Sequence, residues 1–223
     1  MTIPTTTRSP VHHLLEAHQP TWSSLGDALV VLNFQSRKIE QAALGTLGLC
    51  DLSGLAKLGI KGNDAERWLA EQGIQTPGTI YRSERLPDGG LVIRVAGDEF
   101  MLESGLTNQT VPQLASRLAT TTGRVDAIPR QDATFLLAGS KAIDVLAQTS
   151  GINFRKEEDQ RLILTRVAGV SCGVFPQQID QVKAYRLWVD PSYAVYLWET
   201  LAQICDDLGG VVVGAGCLFP ELQ

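Results

Sequence analysis

The chain states one pattern twice, and that repeat restricts its architecture before any single residue is interpreted. Ala56-Lys57-Leu58-Gly59-Ile60-Lys61-Gly62-Asn63-Asp64-Ala65 runs into Trp68-Leu69-Ala70 and then Gly73-Ile74. Ala133-Thr134-Phe135-Leu136-Leu137-Ala138-Gly139-Ser140-Lys141-Ala142 runs into Val145-Leu146-Ala147 and then Gly151-Ile152. Two copies are too few for a solenoid, so the repeat reads as a duplicated α+β unit. Leu58 and Ile60 share one face of an alternating strand, and Phe135 and Leu137 take the matching places. Gly62 and Gly139 permit a tight turn, and Asn63 and Ser140 are expected to cap the helices that follow. Ala65, Trp68 and Leu69 form a helical stripe, matched by Ala142, Val145 and Leu146. Gly73 and Gly151 suit the helix ends.

The second half of each copy is looser. Strands are expected near Ile80–Ser83, Leu91–Val95 and Glu99–Glu103, then a helix near Val111–Thr120 capped by Thr110. The second copy offers strands near Leu162–Val167, Val170–Phe175 and Lys183–Val189, then a helix near Ser192–Leu208 stopped by Gly209. The fold class is α+β: two tandem pseudo-symmetric subdomains, each an antiparallel sheet with helices on one side. The expected division is a tail and lead-in helix over 1–27, a first subdomain over 28–122 and a second over 123–223.

Composition, 44% hydrophobic and 19% charged, is that of an ordinary soluble globule. A net charge of -5 argues against nucleic acid as a partner. No apolar run is long enough to span a membrane, and residues 1–10 lack the hydrophobic stretch of a signal peptide and read as a loose tail. A cytoplasmic location is the default expectation. Cys50, Cys172, Cys205 and Cys217 form no CxxC pair, so reduced, partly buried thiols are expected and a zinc site is not.

The candidate site residues are few. All three histidines, His12, His13 and His18, lie at the start, so nothing after residue 18 can use imidazole. Their spacing fits one helix face poorly, and they read as parts of a polar lead-in helix ending before Pro20. Gly209–Gly216 lacks the strand-glycine-helix context of a dinucleotide loop and reads as a terminal strand with flexible flanks. Asp51 reads as a turn or cap residue, Asp98-Glu99 as a hairpin turn, and Asp206-Asp207 as solvated. In Tyr185-Arg186-Leu187-Trp188-Val189, alternation puts Arg186 and Trp188 opposite Tyr185, with Tyr193, Tyr196 and Trp198 close in sequence. Tyr185, Arg186, Trp188, Tyr193 and Trp198 either cover the second subdomain's core or form part of a protein interface, where Tyr, Trp and Arg concentrate.

Several segments together resemble the glycine-cleavage T-protein (aminomethyltransferase folate-binding) superfamily. They are Cys50-Asp51-Leu52-Ser53, the Leu58–Ala65 strand-turn-helix, Gly89-Gly90-Leu91 leading to Asp98-Glu99-Phe100-Met101-Leu102, and Val189-Asp190-Pro191-Ser192-Tyr193-Ala194 leading to Leu197-Trp198-Glu199. Length and the opening Ser9-Pro10-Val11-His12-His13-Leu14-Leu15 are most similar to the sarcosine oxidase gamma subunit family. The resemblance covers about residue 9 to the end. It implies a paired aspartate after the Gly-Gly, but Leu91-Val92-Ile93-Arg94-Val95 holds no acid there. It implies a folate-holding glutamate in the second half, but Val170–Gln178 holds no carboxylate.

The resemblance therefore implies no catalytic residue in this chain and no cofactor bound by it. The expected function is a non-catalytic, gamma-type subunit of a heterotetrameric flavoenzyme of one-carbon metabolism that oxidises sarcosine or a related N-methyl amino acid. FAD, FMN, NAD and tetrahydrofolate would belong to larger flavin-bearing partner subunits. The alternative is a stand-alone folate-binding protein, either aminomethyltransferase-like or an iron–sulfur assembly factor, whose motif Cys172 with Gln177 imitates only faintly.

Overall fold

The computed structural model describes residues 7–157, 159–179 and 181–219. Most of the expected N-terminal tail therefore lies outside the described residues. In chain order the elements begin with α1 (His12–Glu16), β1 (Thr21–Leu25), β2 (Ala28–Asn33), α2 (Arg37–Leu44) and β3 (Gly48–Asp51). The first repeat follows as β4 (Lys57–Lys61), α3 (Ala65–Glu71), β5 (Ser83–Arg85), β6 (Leu91–Ala96), β7 (Glu99–Glu103), α4 (Thr110–Leu118) and β8 (Asp126–Pro129). The second repeat is β9 (Ala133–Ala138), α5 (Ala142–Thr149), β10 (Ile163–Val167), β11 (Val170–Ile179), β12 (Val182–Val189) and α6 (Ala194–Asp207). A short β13 (Val211–Val212) and α7 (Ala215–Leu218) follow.

Two sheets carry the repeat in the same strand order. One runs β5-β6-β7-β4-β8, and the other runs β10-β11-β12-β9-β3 with β13 added beyond β3. Within each shared set every neighbouring pair is antiparallel. The edge partner of each repeated strand is not its own sequence neighbour. β3 immediately precedes β4 yet pairs with β9, and β8 immediately precedes β9 yet pairs with β4. This exchange makes the larger unit discontinuous: residues up to Gly54 join those from Asp132, while Leu55–Gln131 form the smaller unit. The consecutive spans 1–27, 28–122 and 123–223 differ from that partition because strand exchange leaves no local trace in the sequence.

Each unit buries the stripes read from periodicity. Leu58, Ile60, Ala65, Trp68 and Leu69 belong to the smaller unit's core with Val92, Phe100 and Leu102. Phe135, Leu137, Ala142, Val145 and Leu146 belong to the larger unit's core with Tyr185, Leu187 and Val189. Burial of such side chains stabilises a fold by roughly 1.5–3 kcal/mol each, so the repeated stripe is the main reason the units form.

The helix starts are built differently from expectation. Asn63 and Ser140 cap nothing; the residues at the N-terminal boundaries are Asp64 and Lys141, without side-chain cap bonds. Backbone carbonyls act instead. Asp64 N–H donates to Arg124 O at 3.1 Å, and Lys141 N–H donates to Thr46 O at 2.8 Å. Gly62 (φ +130°) and Gly139 (φ +110°) allow this approach, since a Cβ would lie 2.2 Å from Arg124 O and 2.5 Å from Thr46 O. Thr110 is likewise the first residue of α4 rather than its cap. Its N–H donates to Asp88 Oδ2 at 3.3 Å, and Val111 N–H donates to Ser104 Oγ at 3.1 Å. The glycine-rich end is packed rather than flexible: a Cβ on Gly214 would meet Leu32 O at 2.2 Å. β13 pairs parallel with β3.

Candidate functional site

The larger unit's sheet has a second face, opposite its helices. Register places Gln177 beside Ala184 and Ala138, Phe175 beside Arg186 and Leu136, and Gly173 beside Trp188 and Thr134. Cys50 continues the Arg186–Leu136 row on β3. Alternation along β11 and β12 produces this arrangement, because Val174, Tyr185, Leu187 and Val189 point into the opposite core. Thr134, Gln177 and Arg186 are polar yet nearly inaccessible. Gln177 Nε2 has no hydrogen-bond partner among the described residues. The face therefore holds one buried guanidinium, an amide N–H without a partner and the rings of Phe175 and Trp188, whose centroids lie 6.0 Å apart. It holds no carboxylate and no histidine on these strands. These side chains are buried, and none of them is poised to move a proton near neutral pH.

The thiols are shielded from solvent. All four cysteines are free and buried. Burial pushes Cys172, Cys205 and Cys217 up to about 12 and raises Cys50 well above its ordinary value. Among the described residues no group of three His, Cys, Asp or Glu side chains could hold a metal ion. His12 stacks on Trp22 at 4.5 Å, and His18 meets the edge of Phe34 at 6.1 Å.

In the smaller unit, the position where the family resemblance implies an acid is apolar. Leu91 and Ile93 lie opposite Glu103 and Met101 on β7. Glu99 and Glu103 of β7 are acids on this face, and Glu103 pairs with Lys57 across the register at 3.6 Å with both side chains almost fully buried. Sequence reasoning missed this pair, because two charges 46 positions apart (103 − 57) meet only once register is known. Arg94 is used structurally. Its guanidinium donates to Pro77 O at 2.6 Å, Gly97 O at 2.8 Å and the Glu66 carboxylate, and it lies 4.7 Å from the Phe100 ring centre. The Arg94 hydrogen bond holds the Glu66 carboxyl below its ordinary range.

The aromatic segment splits. Tyr185, Trp188, Trp198 and Arg186 are buried, and only Tyr193 of the five expected interface residues is open, at 53% exposure. Tyr185 packs edge-on against Phe154 and Trp198 packs on Phe135. Tyr196 is equally exposed and donates its hydroxyl to Ala168 O at 3.1 Å. Asp51 is the turn residue expected: its Oδ1 accepts from Ser53 N–H at 3.1 Å and Ser53 Oγ at 2.5 Å. Asp190 repeats that geometry with Ser192, at 2.9 and 2.5 Å.

No protein-family model matches the sequence, and no curated protein matches it. Solved structures do match the fold. Aminomethyltransferase T of the glycine cleavage system from Bartonella henselae aligns with a TM-score of 0.76 and 16% identity, over 96% of this chain and 61% of that one. This chain thus spans less than two thirds of that transferase. A chain of heterotetrameric sarcosine oxidase from Corynebacterium sp. U-96, in complex with pyrrole 2-carboxylate, aligns with a TM-score of 0.65 and 18% identity, over 92% of this chain and 97% of that one. The fold is that of aminomethyltransferase T, in agreement with the resemblance read from the motifs.

Proposed function

We propose that this chain is the small, non-catalytic subunit of a heteromeric flavoenzyme that oxidises sarcosine or a related N-methyl amino acid. The observation that carries the reading is the fold match: 92% of this chain aligns with one chain of a heterotetrameric sarcosine oxidase at a TM-score of 0.65. Apolar Leu91 and Ile93 where an acid is implied, and thiols held protonated, support it. In this proposal FAD, FMN, NAD and tetrahydrofolate reside on the larger partners, and the complex is cytoplasmic. No helix among the described residues is long and apolar enough to cross a membrane. The share of the aromatic segment in a partner interface falls to Tyr193, with Tyr196 near it in sequence, because Tyr185, Arg186, Trp188 and Trp198 are buried.

Co-purification from the native host tests this. A flavin-bearing subunit eluting in fixed ratio with the tagged protein supports the reading; a folded protein eluting alone rejects it. A second reading, a stand-alone folate-binding protein, draws on one observation, the buried Gln177 amide with its unused N–H. Saturable quenching of tryptophan fluorescence by micromolar tetrahydrofolate would favour it.

A further inference from the structure

A trough of about 760 Å³ runs beside α6 in the larger unit. Along α6, Trp198, Ala202 and Cys205 recur at i, i+4 and i+7, which makes one apolar stripe; Glu199, Gln203 and Asp206 form a parallel polar stripe one residue on. Leu14, Ala17 and His18, at the end of α1, line it as well. Phe34 adds an aromatic wall, and Val211 and Val212 of β13 add apolar surface. The lining stripes of α6 extend for roughly 12 Å at 1.5 Å per residue, a little over two helical turns.

The charge of the trough has one sign. Glu199 and Asp206 border it, and no lysine or arginine does. Asp206 and Asp207 sit in the last turn of α6, which holds no basic residue. Acidic groups at that end oppose the helix dipole, whose C-terminus is already negative. Half-buried apolar walls and a negative border together specify complementary chemistry; Lys141, whose Nζ donates to Leu208 O at 2.8 Å, lies outside the lining at the end of α6.

We propose that this trough receives an amphipathic helix of a partner protein, with apolar residues along one face and lysine or arginine at its edge. The partner's identity, though not the trough's chemistry, rests on the subunit reading above. The apolar face would cover Leu14, Phe34, Ala202 and Val212, and its basic edge would meet Glu199 and Asp206.

The test uses the full chain and two labelled peptides of about fourteen residues, some four helical turns. One is an amphipathic leucine–alanine–lysine helix, and the other has glutamate in place of lysine. Fluorescence anisotropy should show the lysine peptide binding at least tenfold more tightly than the glutamate peptide. Ala202→Trp, which fills the trough, should weaken binding tenfold or more. The pair Glu199→Lys with Asp206→Lys should reverse the preference between peptides. Reversal at Asp206 also improves the helix terminus, so circular dichroism should show an intact fold. Absent binding of the lysine peptide, or binding unchanged by all three substitutions, overturns the proposal. Pull-down of a flavin-bearing partner separates the two readings. Equal capture by wild type and Ala202→Trp sinks the trough and keeps the subunit. Peptide binding with no flavoprotein captured sinks the subunit and keeps the trough.

Discussion

Glu40 and Gly214, 174 positions apart, are joined: Glu40 Oε2 accepts the Gly214 N–H at 2.9 Å. The other carboxylate oxygen accepts from Phe34 N–H at 2.6 Å and Gln35 N–H at 2.8 Å. One buried carboxylate thus fastens α2, the end of β2 and the approach to α7. Glu40→Ala leaves three backbone donors without that acceptor and should cost about 3 kcal/mol or more. Urea denaturation checks this, and Glu40→Gln should lose less because it keeps an acceptor oxygen.

Gly62 and Gly139 should be among the least replaceable glycines of the repeat, with Gly105, where a Cβ would lie 1.8 Å from Asp88 O. Gly62→Ala and Gly139→Ala each bring a methyl into a carbonyl two residues before β8 and β3 respectively, besides the roughly 1–2 kcal/mol of left-handed backbone strain. Thermal melts should show both well below wild type. Gly73→Ala is the control, since its φ of +77° carries the strain but nothing lies within 4 Å of the added methyl. Equal losses at Gly73 and Gly62 would contradict the close-approach argument.

The repeat, the helix stripes and the Asp51 turn were legible because each is local: period, composition and spacing all lie within a few residues. Strand exchange was not legible, because β3 and β8 are short and their partners are chosen by tertiary pairing. The Lys57–Glu103 pair and the three bonds of Glu40 were missed for the same reason. The aromatic segment misled in part. Alternation correctly set Arg186 and Trp188 opposite Tyr185, but alternation cannot say whether the second face of a sheet is covered.

Stability should fall in alkali. Cys172, Cys205 and Cys217 rise from 9.0 to about 12 in the folded protein, and Tyr185 rises from 10.0 to about 12, in each case mainly through burial. The folded state then keeps protons that the unfolded state loses, so this contribution is intact below about pH 9 and disappears as pH rises toward 12. Urea midpoints at pH 8, 9.5 and 11 should decline in that order, and Cys205→Ala should flatten the decline. A midpoint unchanged to pH 11 would show that the thiols titrate freely.

Arg94→Met should destabilise the smaller unit by about 2–3 kcal/mol, because Pro77 O, Gly97 O and Glu66 lose a charged donor. Glu66→Gln should cost less, since Glu66 is half exposed and screened by solvent. Denaturation of the two variants in parallel measures the difference.

The exchange of β3 and β8 imposes an order on synthesis. Residues 55–131 contain every strand of their own sheet, so that unit can close while the chain is still being translated. β3 emerges earlier but must wait for β9, and the larger unit is complete only after β13 has followed. A ribosome stalled once residue 131 has cleared its exit tunnel should therefore present a finished inner module preceded by a β3 that lacks its partner, and early chaperone contacts should fall on residues 48–51.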